Sequence, residues 1–533
     1  RRGEQMGESM VTYHNHAATT EDEDQILGST VEWIDEKEGM DKCSSSTSLS
    51  IPLWRRVFSV FLITLLSFLT MFDRYVTAGV LDRIQSFYHI SNTTGGLLQT
   101  TYVVCFIICL IGIGAVGDRV ARKPILVICC TLWLFIMIAS SMIPSEMFWL
   151  FMLLRSLTSI GIAAVNALAP SLFADYFTGS ARGYTLMVFF MSLPMGASAG
   201  VATGSAFADS SSFLWSMRIC PFFAVVALVL FIVFVQEPIR GGLEGAEELA
   251  KKEHSLSSDL YKIIRVKSFW LSSLTTMSLN FYLSGSSWWN PTYFKYGMEL
   301  KNASSSIYYN LSYDAWMTIQ SVFTCIFGII GPIVGVALSE NWRDGKGILK
   351  RIQTIRAPAL TAGIGSLIAV PCIYAFIFLI DVNVIASMVS TAIGGIASGG
   401  VFPLDIEIIL GVIPPTRRAA ALSLLNIIMC STGDGPAPFI VGYLSDIFRG
   451  DDTSVEANFY SLQKAYLIAQ AVGTTAFIFS LINAFTFPVE MERAKQEVEE
   501  GELSAEREEE EEAEKGRRDD VGVGSNASRP TPP

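Results

Sequence analysis

The sequence predicts an all-α membrane protein with twelve transmembrane helices in two six-helix halves. Three observations carry this. Hydrophobic residues make up 51% of the 533 positions, and the mean hydropathy is +0.42. Apolar runs recur twelve times, each close to the roughly 20 residues that cross a ~30 Å hydrocarbon core. One long polar loop, 237–268, divides the runs six and six.

The runs lie at about 56–80, 94–116, 124–143, 147–173, 183–207, 216–236, 269–293, 316–339, 357–380, 383–411, 419–443 and 463–487. They are continuous rather than alternating, which argues for helices and against a β-barrel. A helix satisfies its own backbone in lipid. The expected organisation is a disordered acidic tail (1–50), a first half (51–236), a linker (237–268), a second half (269–488) and a second disordered acidic tail (489–533). The tails account for −7 and −8 of the net charge of −12, so the membrane part is net +3. Runs such as "EDED" and "EREEEEEAEKGRRDD" read as solvated segments. The linker contains "GGLEGAEELAKKEHSLSSDLYKIIR", which reads as a surface helix.

Basic residues gather at "LWRR", "DRVARK", 240–267, "NWRDGKGILKRIQTIR" and "TRR". With twelve spans these all fall on one side, and basic loops mark the cytoplasm. Both termini are then cytosolic. The acceptor sequons at Asn92, Asn302 and Asn310 fall on the other side, where N-glycosylation is expected. A fourth, at Asn526, lies in the cytosolic tail. The nine cysteines show neither CxxC nor zinc spacing. The first apolar run starts behind a polar tail, so no cleavable signal is expected. No Ser/His/Asp, metal or phosphate-loop constellation is present, and two of the four histidines (His14, His16) lie in the tail. Neither an enzyme, nor a metal or other cofactor, nor a nucleic-acid partner is expected.

Charges inside spans are expensive and mark function or pairing. The first span carries "FDR", with Asp73 and Arg74; the fourth carries Arg155. Counting eight residues from the outer end of each span puts Asp73 and Arg155 at the same depth, about 12 Å in. A buried charge needs a partner, so an Asp73–Arg155 pair is expected, with Arg74 nearby. The planar fork of Arg155 also suits a phosphate head. A structural pair that only fixes helix packing is the alternative. In the second half, Asp405 and Glu407 are two apart and point to different helix faces. For Glu407 and Asp434, capping or pairing at a helix end is one reading. Asn166 and Asn280 read as interhelical hydrogen-bond partners. Gly196, Gly200 and Gly204 are four apart on one face of the fifth span and allow close helix approach. "SSWWNPTYF" (286–294) reads as an interfacial aromatic belt, with an outer lid as the alternative.

"GAVGDRVARKP" (114–124) resembles the cytosolic signature G-x-x-x-D-R-x-G-R-R of the major facilitator superfamily, matched by Gly114, Asp118, Arg119, Arg122 and Lys123, with Ala121 in place of a glycine. The resemblance implies a loop that latches the two halves in one state of the cycle. "FDRYVTAGVL", "GGLLQTTYVVCF", "FWLFMLLRSLTSIGIAAVNALAPSLFADYF", "IPPTRRAAA" and "GDGPAPFIVGYLSD" resemble the Spinster-like branch of that superfamily. That branch implies a transporter of single-chain phospholipids or sphingoid phosphates working by alternating access, in an endolysosomal or plasma membrane, and it is expected here as a monomer. The resemblance also implies a gate role for Glu407 and a coupling role for Asp434. Where that family carries a Glu seven residues after the Arg of the fourth span, this chain has Ile162. Proton coupling through that position is therefore unavailable, and a uniporter is at least as consistent. A carrier of another organic anion, sugar or drug is the runner-up. A non-transporting scaffold or receptor is the alternative of another class.

Overall fold

The computed structural model describes residues 51–524, apart from 118–119, 178, 209–212, 239–255, 303–312, 346, 381 and 415–416. Twelve long helical stretches follow one another. The first half holds α1 (Leu53–Gly79), α2 (Asn92–Gly117), α3 (Arg122–Ser140), α4 (Phe148–Leu157 and Ser159–Tyr176), α5 (Gly179–Ala208) and α6 (Leu214–Phe234). The second holds α7 (Lys267–Asn302), α8 (Tyr313–Arg343), α9 (Ala357–Leu379), α10 (Val384–Gly399 and Val401–Val412), α11 (Arg418–Ile428 and Pro436–Arg449) and α12 (Val455–Gly524). A short helix, Leu81–Tyr88, joins α1 to α2, and another, Leu256–Ile264, lies in the linker.

Eleven of these stretches are long and apolar enough to span a bilayer. The exception is α7. It is 36 residues long, but "LSSLTTMSLNFYLSGSSWWN" dilutes its hydropathy with hydroxyls and amides. Such a helix is stable in a membrane only where its polar face meets protein or a cavity. Prolines inside α4 to α9 are tolerated because neighbouring helices re-satisfy the freed carbonyls.

The pairings within the halves repeat. α1 packs on α5, α2 on α4 and α3 on α6; α7 packs on α11, α8 on α10 and α9 on α12. The halves meet through α2 against α11 and α5 against α8, which correspond under the same repeat. The repeat is therefore plain in the packing, whereas the sequence retains little of it.

Small residues set the closest crossings. A Cβ on Gly196, Gly200 or Gly204 of α5 would lie 2.4, 2.5 or 2.6 Å from the carbonyl oxygens of Phe68, Phe72 and Val76 of α1. All three glycines thus face α1, and only glycine fits there. In the second half, Gly331 and Gly335 of α8 meet Gly399 and Gly400 of α10 in the same way.

One boundary differs from expectation. The last helix does not end near 488 but continues to Gly524, through the segment expected to be a disordered tail. The acidic stretch is built from Ala, Glu, Lys and Arg, among the best helix formers. Glu511 and Glu514 stand four residues before Lys515 and Arg518, the spacing that supports an isolated helix. The expected tail 1–50 lies outside the described residues.

Candidate functional site

Asp73 and Arg155 are brought together. Arg155 Nη1 lies 2.8 Å from Asp73 Oδ1, and Nη2 donates to the Asp73 carbonyl at 2.7 Å and to the Thr77 hydroxyl. Trp133 Nε1 of α3 donates to the other carboxylate oxygen at 3.2 Å. Asp73 is 2% exposed and Arg155 3%. The cluster is internal to the first half, held between α1, α3 and α4. Neither residue lines either of the two cavities described below, although Arg155 was expected to meet a phosphate head. The reason is helix phase: successive residues turn by about 100°, so Asp73 and Thr77 face α4 while Arg74 and Tyr75 face the other half.

Arg74 is the cation at the junction of the halves. Its Nη2 lies 2.9 Å from Asp434 Oδ2 of α11. The guanidinium stands over the rings of Tyr75 and Tyr102, 5.4 and 5.1 Å from their centroids. The amide oxygen of Gln99, turned toward it, accepts from Nε at 3.0 Å. Asp434 ends a π turn, Met429–Asp434, that leads to Pro436. Proline supplies no N–H, so the register shifts by one residue, and such bulges often mark functional positions. Ser284 of α7 donates to the Asp434 carbonyl at 2.8 Å. Ile162 fills the neighbouring space. It is 1% exposed in an apolar cluster with Tyr102, Val103 and Cys430.

One cavity adjoins this pair, and a second opens beside the first. The first, about 270 Å³, lies between the halves and is bounded by Tyr75, Pro194 and Ser198 on one side and Asn280, Asn290, Gln320 and Asp434 on the other. Both amide atoms of Gln320 and the Asn290 Oδ1 are buried without a partner. Buried polar atoms are almost always satisfied in proteins, so these mark a place where a ligand or water supplies the bonds. The second cavity, also about 270 Å³, lies inside the second half and is lined mainly by Leu279, Phe323, Phe327, Ile373, Phe376 and Phe402. Asn280, Leu283 and Thr324 line both. A chamber bearing several amides and a carboxylate thus abuts a more apolar one. The sequence reading did not single out Gln320 or Asn290. The available signal was an amide in each of two facing spans, "WMTIQSVFT" and "SSWWNPTYF".

The end bearing residues 81–96 is bonded across the halves. Asp446 of α11 caps the start of α2, accepting from Asn92 N (3.3 Å), Thr93 N (2.7 Å) and Thr93 Oγ1 (2.6 Å). Lys295 pairs with Asp82. Trp288 Nε1 donates to the Gly95 carbonyl at 3.2 Å. A Cβ on Gly96 would lie 2.2 Å from the Pro438 carbonyl oxygen, and one on Gly442 would lie 2.3 Å from that of Asn92. Two expectations are corrected here. Trp288 and Trp289 are buried, 2% and 0% exposed, and belong to the seal rather than to a belt in the lipid interface. Asn92 is 4% exposed, and its Nδ2 donates to Ser445 while its Oδ1 accepts from Gln85. An acceptor nitrogen so placed is closed to glycosylation in this arrangement. Asn302 is the last residue of α7, and Asn310 lies outside the described residues.

Of the signature loop, Asp118 and Arg119 lie outside the described residues. Gly114 has open space at its Cβ position. Arg122 pairs with Asp175 at the end of α4, and its N–H donates to Glu237 beyond α6. Lys123 N also donates to Glu237 (3.3 Å), and its Nζ to the Ile232 carbonyl (2.9 Å). These bonds tie three helix ends within the first half, where a latch between the halves was expected. Glu407 pairs with Arg343 at the end of α8, away from both cavities. Asp405 turns the other way, 1% exposed, and accepts from Thr276 of α7 at 2.9 Å.

Two pseudo-repeated six-helix halves, sealed together at one end and enclosing a chamber at their junction, define a multi-pass membrane transporter. The chain belongs to the Major Facilitator Superfamily, whose family model matches residues 63–438. It is similar to the Xenopus laevis Protein spinster homolog 1, at 29% identity over 87% of each chain. It is also similar to the Xenopus tropicalis Sphingosine-1-phosphate transporter SPNS2, at 29% identity over 80% of this chain and 81% of that one. Among solved structures it superposes on a bacterial homolog of the human lysosomal transporter Spinster, in an inward-facing, unoccupied conformation. The TM-score is 0.68 at 17% identity, covering 82% of this chain and 98% of the other.

Proposed function

We propose that the protein carries a single-chain phospholipid, of the lysophospholipid or sphingosine 1-phosphate class, across the membrane by alternating access. The observation that carries this is the pair of adjoining cavities: one that presents unpartnered amides beside a more apolar one of equal volume. A molecule with one polar head and one tail fits both, and the name of the SPNS2 relative points to the same class. The head sits among Gln320, Asn290 and Asn280. A phosphate there competes with Asp434 for Arg74, since a guanidinium binds two anionic oxygens at once. Releasing Asp434 loosens the tie between α1 and α11 and couples head binding to movement of the halves. Ile162, packed in an apolar cluster, offers no proton site, so a uniporter is the preferred reading.

Both termini are placed in the cytosol by the basic loops, and the sealed end is then the outer one. We propose a monomer with no enzymatic activity, in an endolysosomal or plasma membrane.

The test is flux of labelled sphingosine 1-phosphate and lysophosphatidylcholine in sealed proteoliposomes, with and without a pH gradient. Arg74→Ala is expected to cut flux at least about tenfold, the loss of one charge-assisted contact of about 1.5–3 kcal/mol. Transport of neither lipid by the wild type would overturn the substrate class. Gly395→Leu fills the apolar chamber, where a Cβ would first meet Phe327 at 3.6 Å. It is expected to shift preference toward shorter chains in a competition series, while head-group selectivity stays unchanged.

A further inference from the structure

A separate cavity of about 360 Å³ opens where the linker helix Leu256–Ile264 meets the end of α10 and the 490–497 stretch of α12. Its wall carries four cations, Lys262, Arg265, Arg417 and Arg493, and two acids, Glu490 and Glu497, a surplus of two positive charges. Both acids are already engaged. Glu490 accepts the first N–H groups of α7, from Lys267 at 2.9 Å and Ser268 at 2.6 Å. Glu497 accepts from Arg417 at 2.8 Å. The floor is apolar, made by Ile263, Val266, Val412 and Ile413. Beside the cavity Tyr261, Ile264 and Trp270 are 57%, 46% and 40% exposed. Aromatic side chains of that kind settle at the head-group level of a bilayer. The Arg265 guanidinium is already oriented, 4.3 Å from the Tyr261 ring centroid, and Trp270 Nε1 ties the linker to α7 through the Ile264 carbonyl at 2.8 Å.

We infer that this cavity binds the head group of a membrane lipid bearing a phosphomonoester, on the face the basic loops place in the cytosol. Three features select that ligand. A phosphomonoester carries about −1.5 to −2 charge at neutral pH, which matches the surplus of two; a diester head carries half as much. Arginine forks pair with its oxygens. An apolar floor at the level where the spans end suits an amphiphile, and basic pockets on the cytosolic side of helical bundles hold anionic head groups. The ligand bridges the linker to α10 and α12, so it steadies the connection between the halves and is distinct from the transported molecule.

The experiment uses the full chain in phosphatidylcholine nanodiscs containing a minor fraction of phosphatidic acid, phosphatidylserine or neither. Native mass spectrometry after release reads the retained lipid, and thermal unfolding reads stabilisation. Wild type is expected to retain phosphatidic acid at least about fivefold over phosphatidylserine, as a second anionic charge on the same head allows. Lys262→Gln with Arg493→Gln is expected to erase that preference, and Lys262→Arg with Arg493→Lys to keep it. Equal retention in the wild type and the double glutamine variant overturns the site. Glycerol phosphate displacing or replacing the lipid at equal concentration overturns the lipid source and assigns the cavity to a free phosphate ester. Sphingosine 1-phosphate flux, measured on the same variants in sealed proteoliposomes, reports the transport reading separately.

Discussion

Gly96→Val is expected to abolish transport while leaving a folded protein. The end bearing residues 81–96 closes only because α2 and α11 approach through glycines: a Cβ at 96 would sit 2.2 Å from the Pro438 carbonyl oxygen. Real Cβ atoms do not come so near, and neither partner is a flexible side-chain end. The halves must therefore stay apart there, and Asp446 can no longer cap α2 at Asn92 and Thr93. Flux is expected to fall at least tenfold, because holding one state disfavoured by about 1.4 kcal/mol or more already removes a factor of ten. Position 93 reports the state directly. Thr93→Cys is expected to be shielded from a membrane-impermeant maleimide in the wild-type background and labelled in the Gly96→Val background. Shielding in both, with normal flux, would show that the crossing relaxes and that the glycine is not required for closure.

Arg155→Ala is expected to cost about 3–5 kcal/mol of stability, the penalty for leaving a buried carboxylate uncompensated. Among the described residues the Asp73 carboxylate would keep Trp133 as its donor, since Nη1 of Arg155 supplies the other contact. Thermal unfolding in detergent is the measurement. The double variant Asp73→Asn with Arg155→Gln is expected to recover most of the loss, because two neutral amides of similar shape leave no orphan charge. If the double variant folds and transports, the pair fixes packing. If it folds but does not transport, the pair works in the cycle, for instance by exposing Arg155 when the outer end opens. Equal stability of Arg155→Ala and wild type would mean that Asp73 finds another partner.

Much of the framework was legible beforehand. The helical spans and their order follow from hydropathy, with α7 falling short by that measure, since a bilayer leaves a spanning chain little choice but helix. Depth was also readable: a fixed rise per residue put Asp73 of α1 and Arg155 of α4 level with each other, and the two meet. Spacing by four put Gly196, Gly200 and Gly204 on one face, and that face meets α1. Facing direction was not readable. One residue separates Asp73, turned into its own half, from Arg74, turned to the other, and hydropathy does not distinguish them. Asn92 looked like an exposed acceptor because the loop around it is polar; it is buried by a partner helix over 350 residues away in sequence, at Ser445 and Asp446. The acidic C-terminal stretch looked unstructured by charge, yet its composition favours helix and α12 continues through it.

What the sequence alone determined is whatever the solvent dictates locally: helix, span, depth, and which loops share a side. Those depend on each segment's own free energy in water or lipid. What only the tertiary structure decided is which faces meet across the halves: the Arg74–Asp434 tie, the Trp288 seal, the unpartnered Gln320 and the adjoining polar and apolar chambers. These arise where the two halves meet. Docking energy comes from shape and pairing between residues hundreds of positions apart, which no local pattern encodes.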